Sequence, residues 1–145
     1  MNKTKRIRLA LIFMLIFGSC SNAYAGYIEI GRIVRIESKG NPLAYNRRSQ
    51  ARGLCQVTPI CLKEYNNFHP KEKYTLDDLW NADINKKIAV WYLEVRIPQM
   101  LRHFGCEVNV RNIIICYNAG ISYVVKHKAL KAETANYIIK YERSK

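Results

Sequence analysis

The chain has 145 residues, a length that admits one modest core and excludes two. Lys and Arg outnumber Asp and Glu by 24 to 11, giving a net charge of +13 at pH 7. A balance this basic points to a polyanionic partner or surface, against the alternative of a solvated basic face with no partner.

The N-terminus reads as an address. Asn2 to Arg8 is a cationic region, Leu9 to Gly18 is apolar, and Ala23-Tyr24-Ala25 is a small-x-small cleavage site. The apolar run of about ten residues is too short to span a bilayer, which weighs against a membrane anchor. Phe17-Gly18-Ser19 before Cys20 is a poorer match to a lipidation site than Ala-Tyr-Ala is to a cleavage site. Residues 1–25 are therefore expected to be a signal peptide and 26–145 the mature domain, exported to the periplasm and without a membrane span. Losing Lys3, Lys5, Arg6 and Arg8, with no acid, takes the net charge from +13 to +9. An exported basic protein meets cell-wall polymers, lipid head groups and muramic carboxylates before nucleic acid. No nucleic-acid fingerprint is present.

Cleavage leaves Cys55, Cys61, Cys106 and Cys116, which permit two disulfides in an oxidising compartment or serve as small buried residues. Zinc is disfavoured: there is no Cys-x-x-Cys, and His69, His103 and His127 are scattered.

The first predicted helix covers Gly26–Ser38, with Ile30, Ile33, Val34 and Glu37 on one face. Glu37 thus continues an apolar stripe as a carboxylate. Desolvation there would raise its pKa and keep a proton available near neutral pH, as a general acid requires. The plainer reading is a surface acid at a fraying helix end, paired with Arg35 or Lys39. Gly40 is the expected left-handed stop, and Asn41-Pro42 blocks continuation.

Leu43–Gly53 reads as a polar loop. In Gly53-Leu54-Cys55-Gln56-Val57-Thr58-Pro59 the glycine permits close backbone approach, Gln56 offers a donor and an acceptor, and Thr58-Pro59 opens a second helix, to about Asn66. Leu76–Leu79 predicts a short helical turn. Asn81–Phe104 carries Ile84, Ile88, Trp91, Tyr92, Val95 and Leu101 at helical spacing, with Pro98 expected to kink or split it and Gly105 to end it. Val110–Asn118 is apolar enough for a buried strand, but no partner strand is evident, so a buried helix is expected. Tyr117 and Asn118 then stand at its end, able to bind sugar hydroxyls or to cap the helix itself. Ala132–Arg143 is the last predicted helix. Glu133 in its first turn suits the helix dipole, and Tyr137 and Tyr141 lie one turn apart. The expected fold is mainly α, a single compact helical domain.

Taken in order, Glu37-Ser38-x-x-Asn41-Pro42, Gly53-Leu54-x-Gln56-Val57-x-Pro59, Tyr117-Asn118-Ala119-Gly120 and Glu133-Thr134-x-x-Tyr137 resemble the successive motifs of the soluble-lytic-transglycosylase (SLT) domain. This is the goose-type branch of the lysozyme-like superfamily. Asp78-Leu79-Trp80-Asn81 and Asn85 match a further stretch of it, and the resemblance runs from Ile33 to Tyr141.

The resemblance implies a lysozyme-like fold and cleavage of the bond between N-acetylmuramic acid and N-acetylglucosamine in peptidoglycan, with no metal or cofactor. It puts Glu37 in the place of the single catalytic acid/base, followed by Ser38. Gln56, Tyr117 and Asn118 fall where the family contacts substrate, Tyr137 where a tyrosine packs beside the catalytic centre, and Glu133 where a glutamate supports it. Cys55 replaces a common Met, Gln50 replaces a usual Gly, Arg47 stands near a usual Ser, and Cys116 replaces a small residue. Asp77, Asp78, Asp83 and Glu94 lie on other elements and are not assigned as a second acid. A hydrolytic lysozyme and a non-catalytic wall-binding module are the alternatives. The small size is similar to that of enzymes serving secretion, conjugation or pilus complexes, or phages.

Overall fold

The structure, a computed structural model, describes residues 28–144. The expected signal peptide, the Cys20 site and the first two residues of the predicted first helix lie outside them.

Helix α1 (Ile30–Ser38) starts later than the apolar periodicity suggests, with Glu29 at its N-cap. Its stripe behaves as expected: Ile33 is fully buried, and Ile30 and Val34 pack on the core. The left-handed stop begins one residue before Gly40. Lys39 has φ 55° and Gly40 φ 83°, and the Ser38 hydroxyl accepts from the Gly40 N–H at 3.2 Å while donating to the Val34 carbonyl at 3.1 Å.

The segment expected to be a loop contains a small antiparallel hairpin. Strand β1 (Tyr45–Asn46) pairs with β2 (Ala51–Arg52), Tyr45 opposite Arg52 and Asn46 opposite Ala51. The Asn46 carboxamide oxygen accepts from the N–H groups of Arg48 and Ser49 at 3.0 and 3.2 Å, closing the connection as an Asx turn. Two-residue strands are too short for an alternation signal.

Helix α2 (Pro59–Phe68) is capped as its sequence predicts. The Thr58 hydroxyl accepts from the Cys61 N–H at 3.2 Å, and Pro59 occupies the first turn, where its missing N–H costs nothing. A 3-10 turn (Asp77–Trp80) follows, and then the longest helical run: α3 (Ala82–Trp91), a π-turn (Tyr92–Arg96) and α4 (Ile97–His103). Pro98 does not split this run. The widened turn, closed by the Ile97 N–H on the Tyr92 carbonyl, carries the chain past the carbonyls a proline ring would strike. Gly105, at φ 66°, ends it in a Schellman motif, with the Cys106 N–H on the Leu101 carbonyl at 2.8 Å.

Helix α5 (Val110–Ala119) resolves the strand-or-helix question. Asn109 caps it, and Ile113, Ile114, Ile115 and Cys116 are all buried. Four consecutive buried residues have no amphipathic period, because α5 is enclosed by α4, the π-turn, α7 and the short α6 (Ser122–Val125). Helix α6 gave no sequence signal. Helix α7 (Ala132–Arg143) matches its predicted bounds and packs on α1 and α5. The domain is thus mainly helical, with one core into which Leu79, Ile88, Leu93, Ile97, Leu101 and Ile113 are completely buried. Among the described residues no helix is long and apolar enough to cross a membrane.

The four cysteines among the described residues are free thiols. Cys55, Cys61 and Cys116 belong to the core and Cys106 is half-buried, so they act here as small apolar residues.

Candidate active site

A cleft of about 550 Å³ opens between the hairpin, the Gly53–Thr58 loop, the π-turn and the facing ends of α5 and α7. Glu37 reaches it from the last turn of α1. Burial among apolar neighbours raises the Glu37 pKa to about 7, and the hydrogen bond from the Tyr137 hydroxyl, 2.6 Å from Oε1, opposes that rise. No ion pair joins Glu37 to Arg35 or Lys39 among the described residues, so the surface-acid reading does not describe it. Tyr137 is buried in α7, and the same burial drives its hydroxyl pKa upward, keeping it a donor.

The loop beside the acid is a tight four-residue turn, Gly53 to Gln56, closed by reciprocal bonds between Arg52 and Val57 at 3.1 Å. Gly53 has φ 76°, and a Cβ there would lie 2.3 Å from Asn85 Nδ2 and 2.4 Å from the Leu79 carbonyl oxygen. Only glycine fits. Asn85 is completely buried and makes three bonds: it accepts from the Cys55 N–H at 2.8 Å and donates to the carbonyls of Arg52 and Leu79 at 2.8 and 2.9 Å. The Tyr117 hydroxyl donates to the Cys55 carbonyl at 2.6 Å. Two side chains, from α3 and α5, therefore hold both backbone groups of Cys55.

This changes the expected division of labour. Tyr117 lines the cleft, but its hydroxyl is committed to the loop, and desolvation raises its pKa well above the usual phenol value. Gln56 also lines the cleft. It sits at φ 51°, and its amide nitrogen donates to the carbonyls of Ala44 and Gly53 at 3.0 and 3.1 Å. Asn118 and the exposed Glu133 line the cleft as well. Ser38 is not among the lining residues. Its hydroxyl serves the end of α1.

Asn46, Arg48, Ser49, Thr58, Cys61, Tyr92 and Lys131 also line it, with Ala51 and Val57. Sequence reasoning did not select them. Tyr92 looked like one more apolar position on a long helix, and its ring meets that of Tyr117 at 6.4 Å. Asp77, Asp78 and Asp83 lie elsewhere. Asp77 meets Arg52 at 3.3 Å, Asp78 accepts from the Thr75 N–H at 2.6 Å, and Asp83 pairs with Lys86. Among the described residues no cluster of three His, Cys, Asp or Glu side chains is arranged to hold a metal.

No curated protein and no solved structure matches the chain. The family model described as "Transglycosylase SLT domain" matches residues 22–140, which include every residue that lines the cleft. Matched over that length on a helical scaffold, this chain belongs to the SLT transglycosylase family, whose activity is that of peptidoglycan lytic transglycosylases.

Proposed function

We infer that this protein is exported to the periplasm and cleaves the β-1,4 bond from N-acetylmuramic acid to N-acetylglucosamine in wall glycan, leaving 1,6-anhydromuramoyl ends. The observation that carries this reading is the Glu37 carboxyl, placed in the cleft with a pKa raised to about 7. Near neutral pH it is available both as an acid and as a base. Protonated Glu37 donates to the glycosidic oxygen as the bond to C1 breaks, and the leaving sugar departs as an alcohol. The substrate's own N-acetyl group stabilises the oxocarbenium-like carbon. Glu37, now a carboxylate, accepts the proton of the muramoyl C6 hydroxyl as that oxygen bonds to C1. No water is consumed, and the acid is regenerated.

Tyr137 orients the carboxyl through its 2.6 Å bond. Asn118 and Glu133 line the space for the sugar and its N-acetyl group, and the Tyr117 and Gln56 side chains fix the wall they lie against. In a specialised role, this cleavage would open the wall for a secretion, pilus or conjugation complex.

One feature favours a second reading, a hydrolytic lysozyme. Glu133 is a second carboxylate in the same cleft and could activate water. Digestion of purified sacculi separates the readings. Wild type is expected to release muropeptides with anhydro ends, and Glu133→Gln to keep that product. Reducing ends, about one water heavier, would establish the hydrolase. Glu37→Gln should stay folded and lose lysis by at least about 10³-fold, since it can neither give nor take the proton. Undiminished lysis in that variant would remove Glu37 from the mechanism, and binding without lysis by wild type would make the protein a binding module.

A further inference from the structure

The walls of the cleft carry two cations that the chemistry above does not use. Arg48 stands in the hairpin connection and Lys131 at the N-cap of α7, and both line the cleft. Each is exposed, and neither takes part in an ion pair among the described residues, although Arg32, Arg52, Lys86, Lys87 and Arg96 all do. They come from elements far apart in sequence. Arg48 is held by the Asx turn, where its N–H and that of Ser49 bond the Asn46 side chain. The acids lining the same space are Glu37, which holds its proton to about pH 7, and Glu133.

N-acetylated sugars are neutral, so an arginine and a lysine gain nothing electrostatic from the sugar rings. The anionic part of wall glycan is the branch on O3 of muramic acid, which ends in carboxylates: the lactyl group itself when bare, or the stem peptide attached to it. We propose that Arg48 and Lys131 form a carboxylate-reading pair that engages the acidic branch of the muramoyl residue and so sets the register of the glycan in the cleft. This assignment rests on the transglycosylase reading and deepens it by naming the part of the substrate that confers specificity. The guanidinium takes a carboxylate in a planar fork, the ammonium as a point charge. Sugars alternate along the strand, so anchoring one branch puts muramic acid, and not its neighbour, over Glu37.

The test is steady-state kinetics on soluble glycan strands of three kinds: bearing stem peptides, stripped by an amidase so that the lactyl carboxylate is bare, and stripped strands with that carboxylate amidated. The double variant Arg48→Gln/Lys131→Gln should raise KM about tenfold on an acidic substrate while kcat is kept, and should flatten the rise of KM with salt expected of wild type. Lys131→Arg should keep the wild-type KM. A loss on stripped strands that vanishes on amidation assigns the lactyl carboxylate, and a loss confined to peptide-bearing strands assigns the peptide. An unchanged KM on all three, or an equal loss on the neutral amidated strands, would overturn the proposal. Reducing ends in the products would overturn the transglycosylase reading instead, with the charge assignment still legible in the same KM values.

Discussion

Glu37 carries a measurable consequence in both rate and stability. Chemistry starts from its protonated form, so kcat/KM should fall on the alkaline side with an apparent pKa of about 7. Tyr137→Phe removes the hydrogen bond that holds this pKa down, so the alkaline limb should move to higher pH as the rate drops. A carboxylate that merely decorates a helix end would give no such limb. The folded chain keeps this proton to about pH 7, whereas the unfolded chain releases it near 4.5. Folding is therefore favoured most below pH 4.5, and this contribution is lost as the pH rises to about 7. It amounts to roughly 3 kcal/mol, since each tenfold difference in proton affinity between the folded and unfolded chain is worth about 1.4 kcal/mol. Urea titrations of wild type and Glu37→Gln at pH 5 and pH 8 should show the glutamine variant gaining most of that difference at the higher pH.

Among the elements, the segment from hairpin to loop holds the most strain. Gln50 lies at φ 57°, in the position where the sequence departs from a usual glycine, and Gln56 lies at φ 51°. A left-handed glutamine costs about 1–2 kcal/mol, so Gln50→Gly should stabilise the protein by up to about 1 kcal/mol once its greater freedom when unfolded is counted. Asn85→Ala should cost about 3 kcal/mol, since it strips a partner from the buried Cys55 N–H and Leu79 carbonyl and leaves the Arg52 carbonyl only its bond from the Val57 N–H, and Gly53→Ala should prevent the loop from forming. Thermal melts of the three variants test this order. The helices were largely legible in the sequence, because Thr58-Pro59, Gly105 and the stripe of α1 act locally. The hairpin was not, since it is two residues deep on each side and is set by one asparagine. Nor were the backbone partners of Tyr117 and Gln56. A motif names a residue, but whether its polar atoms face substrate or backbone depends on partners 62 and 12 positions away. Glu37 was the exception, because an acid on an apolar stripe states its environment in its own neighbours.

At the scale of the whole fold, three of the four thiols among the described residues are sealed in the core. Burial raises Cys55 and Cys116 to about 12 and drives Cys61 upward as well. Of these four, native protein should thus expose only Cys106 to a thiol reagent, and denaturation all of them. Protein isolated without reductant that shows fewer of these four after denaturation would reveal a disulfide. The first and last helices are joined by bonds that span nearly the whole domain. Glu29 N–H bonds the Tyr141 hydroxyl at 3.0 Å, Arg32 reaches the Tyr141 carbonyl at 3.1 Å, and Tyr137 holds Glu37 from 100 positions away. A growing chain emerges with its acid first and the clamp for that acid last. Every chain made only as far as α6 consequently lacks the partner that holds the Glu37 carboxyl, and topology alone sets a delay between making that acid and clamping it.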